Sequence, residues 1–269
     1  MVSPPFPIVT LLTDFGLSDE YVGVIKGLLH KFCPGVQIID ISHTVDPQNS
    51  RKAAHLLTRA YPYFPPGTVH LIIVDPGVGS TRKIIAFKTS EQIFVGPDNG
   101  LFSMIFKKEE ILAIHQVTAR HLFLPAPSNT FHGRDIMAPI AARLAGGLPI
   151  EQVGPSISVG DCIELPTPQI LRDPQQLTGE VTHIDRFGNL CTNISSEEID
   201  VFSEGCGVEI NIGPVSISSI SRSYSSCNVG QPLALYDSQG LLEIAINCGR
   251  FAATHGIKEG EKITVKKNL

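Results

Sequence analysis

The sequence has no C-x-x-C pair, and its six cysteines are spread widely along 269 residues. This spacing argues against a zinc site or a redox couple and favours buried free thiols. No charged, apolar-cored leader precedes the first predicted strand, and no apolar run approaches the ~18 residues that a membrane span needs. We therefore expect a cytoplasmic protein that makes no membrane contact.

Clusters of basic residues are also lacking. The net charge is −5, and the lysines and arginines are scattered, so nothing indicates a nucleic-acid partner and small molecules are the expected partners. A hydrophobic content of 42% with 17% charged residues is typical of a globular protein. The length favours two domains.

The segment that organises the chain is VHLIIVDPGVGSTR, residues 69–82. Its apolar first half predicts a strand buried in a parallel sheet, and Asp75 follows at the carboxyl end, where α/β sheets bind ligands. The loop from Gly77 to Arg82 lacks both the Walker spacing and the third glycine of a dinucleotide fingerprint. Because Arg82 can reach the Asp75 carboxylate, we interpret this loop as half of an active site. An ordinary turn with a surface ion pair is the alternative.

The pattern of elements predicts an α/β fold followed by a β domain. Residues 1–160 alternate strands and helices, which indicates a parallel or mixed sheet with helices on both faces. The first helix is expected from about Ser18. From Gly146 to Pro174, Pro, Gly and Ser are scattered among short apolar islands, which indicates the connection between the domains, and residues 161–176 are interpreted as the linker. Residues 177–269 contain short strands with turn signals and almost no helix, which favours a small C-terminal β-barrel domain.

Acidic side chains follow three of the predicted strands: Asp14, Asp75 and Asp185. Aspartate also favours turns because its side chain bonds the backbone ahead of it, so a purely structural role is the alternative for each. His132 lies between a loop and a helix start, where its ring could reach a pocket and titrate near neutrality. A hydrogen-bonding role in the fold is the alternative there.

A metal site is not expected. Asp40, His43 and Asp46 have a spacing that could suggest metal ligands, but this spacing does not place side chains on one face of a strand.

Seven segments, in order over nearly the whole chain, carry a family resemblance: residues 13–27, 40–47, 64–82, 96–101, 131–135, 184–194 and 241–253. Together they resemble the S-adenosylmethionine hydroxide adenosyltransferase family, which is related to the adenosyl-fluoride and adenosyl-chloride synthases. The resemblance implies an N-terminal α/β domain and a C-terminal β-barrel. It also implies a homotrimer with active sites between the N-domain of one subunit and the C-domain of the next. The implied reaction is cofactor-free hydrolysis of S-adenosyl-L-methionine to adenosine and L-methionine.

The resemblance also implies roles for individual residues. Asp75, Arg82 and His132 match the family's catalytic set, in which Arg82 would favour hydroxide, Asp75 would orient Arg82 and the water, and His132 would accept or shuttle the proton. The implied substrate contacts are Asp14 to the ribose diol, Asp185 to the methionine ammonium, Asn189 to the adenine edge, Tyr224 packed on adenine, and Ser238 and Asn247 as further contacts.

Three other functions compete with this interpretation. A halide-using adenosyl transferase would have a hydroxyl side chain where this chain has Gly133 and tyrosines where it has Asp75 and His132, and a carboxylate at Asp75 would repel a halide. A non-catalytic S-adenosylmethionine sensor would not need Asp75, Arg82 and His132. A metal hydrolase is the weakest of the three, because no convincing ligand cluster is present.

Overall fold

The computed structural model describes residues 6–268, which form two compact units that meet in sequence between Leu165 and Pro166. The sequence predicted a linker at 161–176. In the structure the first part of that segment is bound to the first unit, since Ile163 N donates to Asp98 Oδ1 at 2.9 Å and Leu165 N to Ser103 Oγ at 2.8 Å. The later part contains a short strand of the second unit, Leu171–Arg172.

The first unit contains a six-stranded sheet in the order β2-β1-β3-β5-β4-β6. Strands β2, β1, β3 and β5 are parallel, and β4 runs antiparallel to β5 and β6. The strands are β1 Ile8–Thr13, β2 Gln37–Ser42, β3 Val69–Ile73, β4 Ile84–Lys88, β5 Ile93–Pro97 and β6 Ala113–Gln116. The helices are α1 Tyr21–Phe32, α2 Ser50–Ala60, α3 Ser103–Lys108 and α4 Ala138–Ala145, with a π-helical turn at Gly133–Met137 directly before α4.

Helices cover both faces of this sheet. Every residue of β1 and β3 is buried, and alternate residues of these strands belong to two separate apolar clusters. One cluster contains Ile25 of α1 and Ile140 of α4, and the other contains Leu57 of α2 and Ile105 of α3. Since successive strand residues point to opposite faces, the two clusters lie on opposite sides of the sheet. The predicted α/β architecture is confirmed.

The second unit is a nine-stranded sheet that curls into a nearly closed, barrel-like form around a main apolar core, with a smaller apolar cluster at Leu233, Leu235 and Ala245. Buried and half-buried residues alternate strictly along the strand Gln176–Ile184, as expected when one face of a strand lines a barrel interior. The strands are β7 Leu171–Arg172, β8 Gln176–Ile184, β9 Leu190–Ser195, β10 Val208–Ile212, β11 Val215–Ile217, β12 Ile220–Ser221, β13 Pro232–Tyr236, β14 Leu241–Ile246 and β15 Lys262–Lys267. The helices are α5 Ser196–Ser203 and α6 Phe251–His255.

Two local features differ from the sequence-based expectation. Helix α1 begins at Tyr21 rather than near Ser18, whose hydroxyl bonds the neighbouring Asp19 carboxylate at 3.4 Å instead of capping the helix. Helix α5 was not predicted, although Ser195 accepts a bond from Glu198 N at 3.2 Å. This Ser-x-x-Glu spacing is a helix-start signal that the sequence does carry.

Within residues 6–268, every helix is too short or too polar to cross a bilayer. The cytoplasmic location expected from the sequence stays a prediction.

Candidate active site

The first unit's candidate acids emerge at one edge of its sheet. Strands β1 and β3 are parallel neighbours in which Thr13 pairs with Ile73, so Asp14 and Asp75 follow them at the same carboxyl edge. Beside them, in the turn after β5, Asn99 Nδ2 donates to the backbone oxygen of Val74 at 2.8 Å. The carboxyl edge of such a sheet is the usual ligand-binding edge, as the sequence predicted for Asp75.

Asp75, Arg82 and His132 form one hydrogen-bonded chain. Arg82 Nε donates to Asp75 Oδ1 at 2.8 Å, and Arg82 Nη2 donates to Asp75 Oδ2. Arg82 Nη2 also lies 2.9 Å from His132 Nδ1. The Asp75 and Arg82 side chains are only 7% and 8% exposed, so this is a buried, two-pronged ion pair and not a surface one.

Close backbone approach brings the three side chains together. A Cβ on Gly133 would lie 2.7 Å from Ile73 Cγ2, so the glycine lets the turn that follows His132 pack against the end of β3. In the loop before Arg82, Gly79 has φ +78°, and a Cβ there would lie 2.3 Å from the Asn129 carbonyl oxygen. Both glycines are therefore required by the shape of the site.

The Arg82 contact determines which nitrogen of His132 carries the proton. A guanidinium has donors and no acceptor, so Nδ1 must accept, and the proton of the neutral ring lies on Nε2. Burial, followed by the Arg82 charge, lowers the pKa of His132 below its ordinary value. His132 is thus held neutral, and its free hydrogen-bonding group is the Nε2–H donor.

His132 also lines a cavity of about 590 Å³ in the first unit. The walls come from the segment between Arg120 and Ile136 and combine apolar side chains, such as Phe123 and Leu124, with the polar Asn129. A volume of this size and mixed lining is typical of a small-molecule site.

Asp14 is half-buried, and its Oδ2 accepts a bond from the backbone nitrogen of Gln48 at 2.8 Å. A carboxylate has about four acceptor positions, so Asp14 retains the capacity to bind two hydroxyl groups of a ligand.

In the second unit, Asp185 and Asn189 meet in one turn. Asp185 Oδ1 accepts from Asn189 N at 2.8 Å, and Asp185 Oδ2 accepts from Asn189 Nδ2 at 3.3 Å. Asn189 is buried, whereas Asp185 is half-buried. The turn therefore presents the Asp185 carboxylate and uses the Asn189 amide to orient it.

Tyr224 is held by an acid that the sequence analysis missed. Its hydroxyl donates to Glu243 Oε1 at 2.5 Å, and burial followed by this carboxylate raises the pKa of Tyr224. The residue as a whole is 44% exposed, so a ligand can reach it. The signal for Glu243 was a single acid within the apolar strand LLEIAI.

The two remaining candidates lie in turns of the second unit. Asn247 Nδ2 donates to the Cys227 carbonyl at 2.8 Å, and Ser238 is exposed in the turn between β13 and β14.

In the structure, the two acids with metal-like spacing, Asp40 and Asp46, pair with lysines, and His43 lies beside Asp40. Asp40 contacts Lys26 at 2.6 Å and His43 at 3.1 Å, and Asp46 contacts Lys52 at 2.8 Å. Among the described residues, Cys191, Asp237 and Glu243 bring potential ligand atoms within 4.8 Å of one another. Zinc accepts both thiolate and carboxylate ligands, but Glu243 Oε1 already accepts a bond from the Tyr224 hydroxyl.

The fold and the Asp-Arg-His chain at the sheet edge define a small-molecule enzyme built from an α/β unit and a barrel-like unit. Residues 9–154 match the SAM hydroxide adenosyltransferase N-terminal domain, and residues 179–264 match the C-terminal domain. The chain belongs to this family.

Individual relatives show the same similarity over nearly full length. An (R)-S-adenosyl-L-methionine hydrolase from Thermus thermophilus is 39% identical over 94% of this chain and 96% of its own length. The crystal structure of an uncharacterized conserved protein from Thermotoga maritima has a TM-score of 0.87 and 39% identity, covering 97% of this chain and 100% of that one. A fluorinase from Nocardia brasiliensis is 28% identical over 97% of both chains.

The Arg82 contact leads to a prediction about His132. In an NMR pH titration, His132 should titrate below its ordinary pKa of about 6.5, because its charged form is buried beside a cation. Arg82→Gln should raise that pKa, since it removes the cation and leaves Asp75 nearby. Arg120→Gln, on the wall of the same cavity, is the matched control and should leave it unchanged. A wild-type pKa above 6.5 would contradict the assigned arrangement.

Proposed function

We propose that this protein hydrolyses S-adenosyl-L-methionine to adenosine and L-methionine, with water or hydroxide attacking the adenosyl 5′ carbon. The observation that carries the proposal is the buried Asp75–Arg82–His132 chain, present in a member of the SAM hydroxide adenosyltransferase family. The similarity to the Thermus thermophilus hydrolase over nearly the whole chain supports the same reaction.

The reaction suits a site without an acid for the leaving group. The nucleophile's oxygen forms a bond to the 5′ carbon while the carbon–sulfur bond breaks, and the electron pair goes to sulfur. Methionine leaves as a neutral thioether and needs no proton. When water is the nucleophile, its proton passes along its hydrogen bond to the Asp75 carboxylate. When hydroxide attacks, no base is needed, and opposite charges cancel toward the transition state. A site that pre-places the nucleophile and excludes bulk water favours this step.

In this proposal the three side chains have different tasks. Arg82 supplies a fixed positive charge that favours hydroxide over water. Both Asp75 oxygens accept from Arg82, yet each keeps acceptor capacity with which to orient the nucleophile. His132 Nε2–H donates a hydrogen bond to the nucleophile's oxygen. For His132 to accept the proton at Nδ1, as the sequence-based hypothesis held, its bond to Arg82 would first have to break.

The remaining candidates bind the substrate. Asp14 accepts from the ribose diol, Asp185 pairs with the methionine ammonium, and Asn189 contacts the adenine edge. Tyr224, fixed through Glu243, packs its ring on adenine. Ser238 and Asn247 provide further contacts.

A halide is a poorer nucleophile for this site. The similarity to a fluorinase makes a halide the alternative nucleophile to consider. In this chain, however, the nucleophile would lie beside the Asp75 carboxylate, which accepts a hydrogen bond from water or hydroxide. A halide has no proton to donate, so the carboxylate only repels it. A protein that only senses S-adenosylmethionine would not need a buried ion pair whose guanidinium donates to a histidine.

The products test the proposal. Purified, chelator-treated protein should release adenosine and methionine in equal amounts, and adding chloride should yield no chlorinated nucleoside. Asp75→Asn should lower the single-turnover rate about 10²-fold or more, because it removes the acceptor that orients the nucleophile. Asp173→Asn, an exposed acid of the second unit, is the control. Activity that disappears with chelator and returns with zinc or magnesium would instead establish a metal enzyme.

The assembly is part of the same proposal: a homotrimer whose sites combine the first unit of one subunit with the second unit of the next. It is supported by the distribution of candidates, since Asp14, Asp75, Arg82 and His132 belong to the first unit and the adenine and ammonium contacts to the second.

Mixing two inactive variants tests this arrangement. Asp75→Asn inactivates only the half of each site that the first unit contributes. Asp185→Asn inactivates only the half that the second unit contributes. Subunits that are mixed equally and reassembled should regain about a quarter of wild-type activity, because random pairing joins two intact halves that often. Two Asp75→Asn preparations treated alike are the control. If the mixed subunits are no more active than each variant alone, each site is formed within one chain or the proposed trimer is wrong.

A further inference from the structure

The segment from Asp40 to Gln48 has no role in the proposed chemistry, yet it surrounds the turn that carries Asp14. Strands β1 and β2 pair with Leu12 opposite Ser42, so Thr13 and His43 follow side by side. Backbone bonds join the two segments: Gly16 N donates to the His43 oxygen at 2.7 Å, and Gln48 N donates to Asp14 Oδ2 at 2.8 Å. The Asp14 turn is therefore held from both sides by one segment.

A chain of side-chain bonds reinforces these contacts. Thr13 Oγ1 lies 2.9 Å from His43 Nδ1, and His43 Nε2 lies 3.1 Å from Asp40 Oδ1. Lys26 Nζ binds the other Asp40 oxygen at 2.6 Å. Thr13 and His43 are 1% and 5% exposed, so water cannot replace these partners.

The protons along this chain can be assigned. Partial burial acts to raise the pKa of Asp40, but Lys26 and His43 beside it hold that pKa below its ordinary value, so Asp40 is ionised. His43 Nε2 makes no aligned hydrogen bond, but it lies 3.1 Å from this carboxylate, which favours a proton on Nε2 and leaves Nδ1 to accept from the Thr13 hydroxyl. The Thr13 oxygen then accepts from Phe15 N at 3.3 Å, on the far side of Asp14.

We propose that His43 is a positioning residue for Asp14. Through its ring it orients the Thr13 hydroxyl, which binds the backbone after Asp14, and through its carbonyl it binds Gly16. The inference rests on the proposed role of Asp14 with the ribose diol and extends it: His43 determines how strongly the site prefers a ribose with both hydroxyls.

A merely structural histidine would behave differently. Loss of general stability would weaken the binding of every nucleoside alike. Loss of Asp14 placement would weaken only the binding that depends on the diol, because a carboxylate that is displaced cannot accept from both hydroxyls. The ratio of affinities for adenosine and 2′-deoxyadenosine separates the two cases.

The experiment measures both affinities by calorimetry for wild type and four variants. Wild type should prefer adenosine by roughly ten- to a hundredfold, the equivalent of one charge-assisted hydrogen bond. His43→Leu should lose most of that preference while its affinity for 2′-deoxyadenosine changes little. His43→Asn should retain it, because the asparagine Oδ1 can accept from Thr13 where Nδ1 did. Asp46→Asn, an exposed acid on the same segment, is the matched control and should resemble wild type.

Asp14→Asn separates failure of this inference from failure of the proposed function. Unchanged preference in Asp14→Asn would remove Asp14 from the diol site and with it the premise. Lost preference in Asp14→Asn together with wild-type preference in His43→Leu, or an equal loss of affinity for both nucleosides in His43→Leu, would overturn the positioning role. If His43→Leu does not fold, Thr13→Val, which deletes only the hydroxyl, decides by the same ratio.

Discussion

The ion pair between Asp75 and Arg82 is the constraint on which the rest of the site depends. Both side chains are more than nine-tenths buried, and a buried charge is tolerated only when its partner and hydrogen bonds are in place. Removing one partner of such a pair typically costs about 3–5 kcal/mol. The pair therefore determines where the 77–82 loop lies, and the guanidinium in turn fixes the proton of His132.

The fold meets this constraint through strand order. Because β1, β3 and β5 are parallel neighbours, the residues that follow them gather at one edge, where Asn99 after β5 donates to the Val74 carbonyl after β3. Each acid at that edge has its own support: Arg82 for Asp75, and the segment from Asp40 to Gln48 for Asp14. The second unit repeats the principle, with Asn189 orienting Asp185 and Glu243 holding Tyr224.

Much of the first unit could be predicted because its strands and helices alternate and its acids stand directly after apolar runs. Asp75 and Arg82 are close in sequence, so their contact followed from one loop. The partners of Asp14 could not be found in this way, since Thr13 and His43 meet across β1 and β2 from positions 30 residues apart. Nor does a sequence reveal which histidine nitrogen carries the proton, because only the Arg82 contact settles it. Glu243 could not be identified from the sequence, because one acid in the apolar run LLEIAI does not change the strand pattern. Helix α5 is short and lies between short strands, so its Ser-x-x-Glu start is the main sign of it in the sequence.

The central claim is that an oxygen from water displaces methionine at the 5′ carbon. The most direct measurement is one turnover in oxygen-18 water, followed by mass spectrometry of both products. The account predicts that the label appears in the 5′ hydroxyl of adenosine and that methionine is unlabelled. Adenosine without the label would show that its 5′ oxygen comes from another donor, and 5′-methylthioadenosine in place of adenosine would show that a different carbon–sulfur bond breaks. Either result would contradict the account.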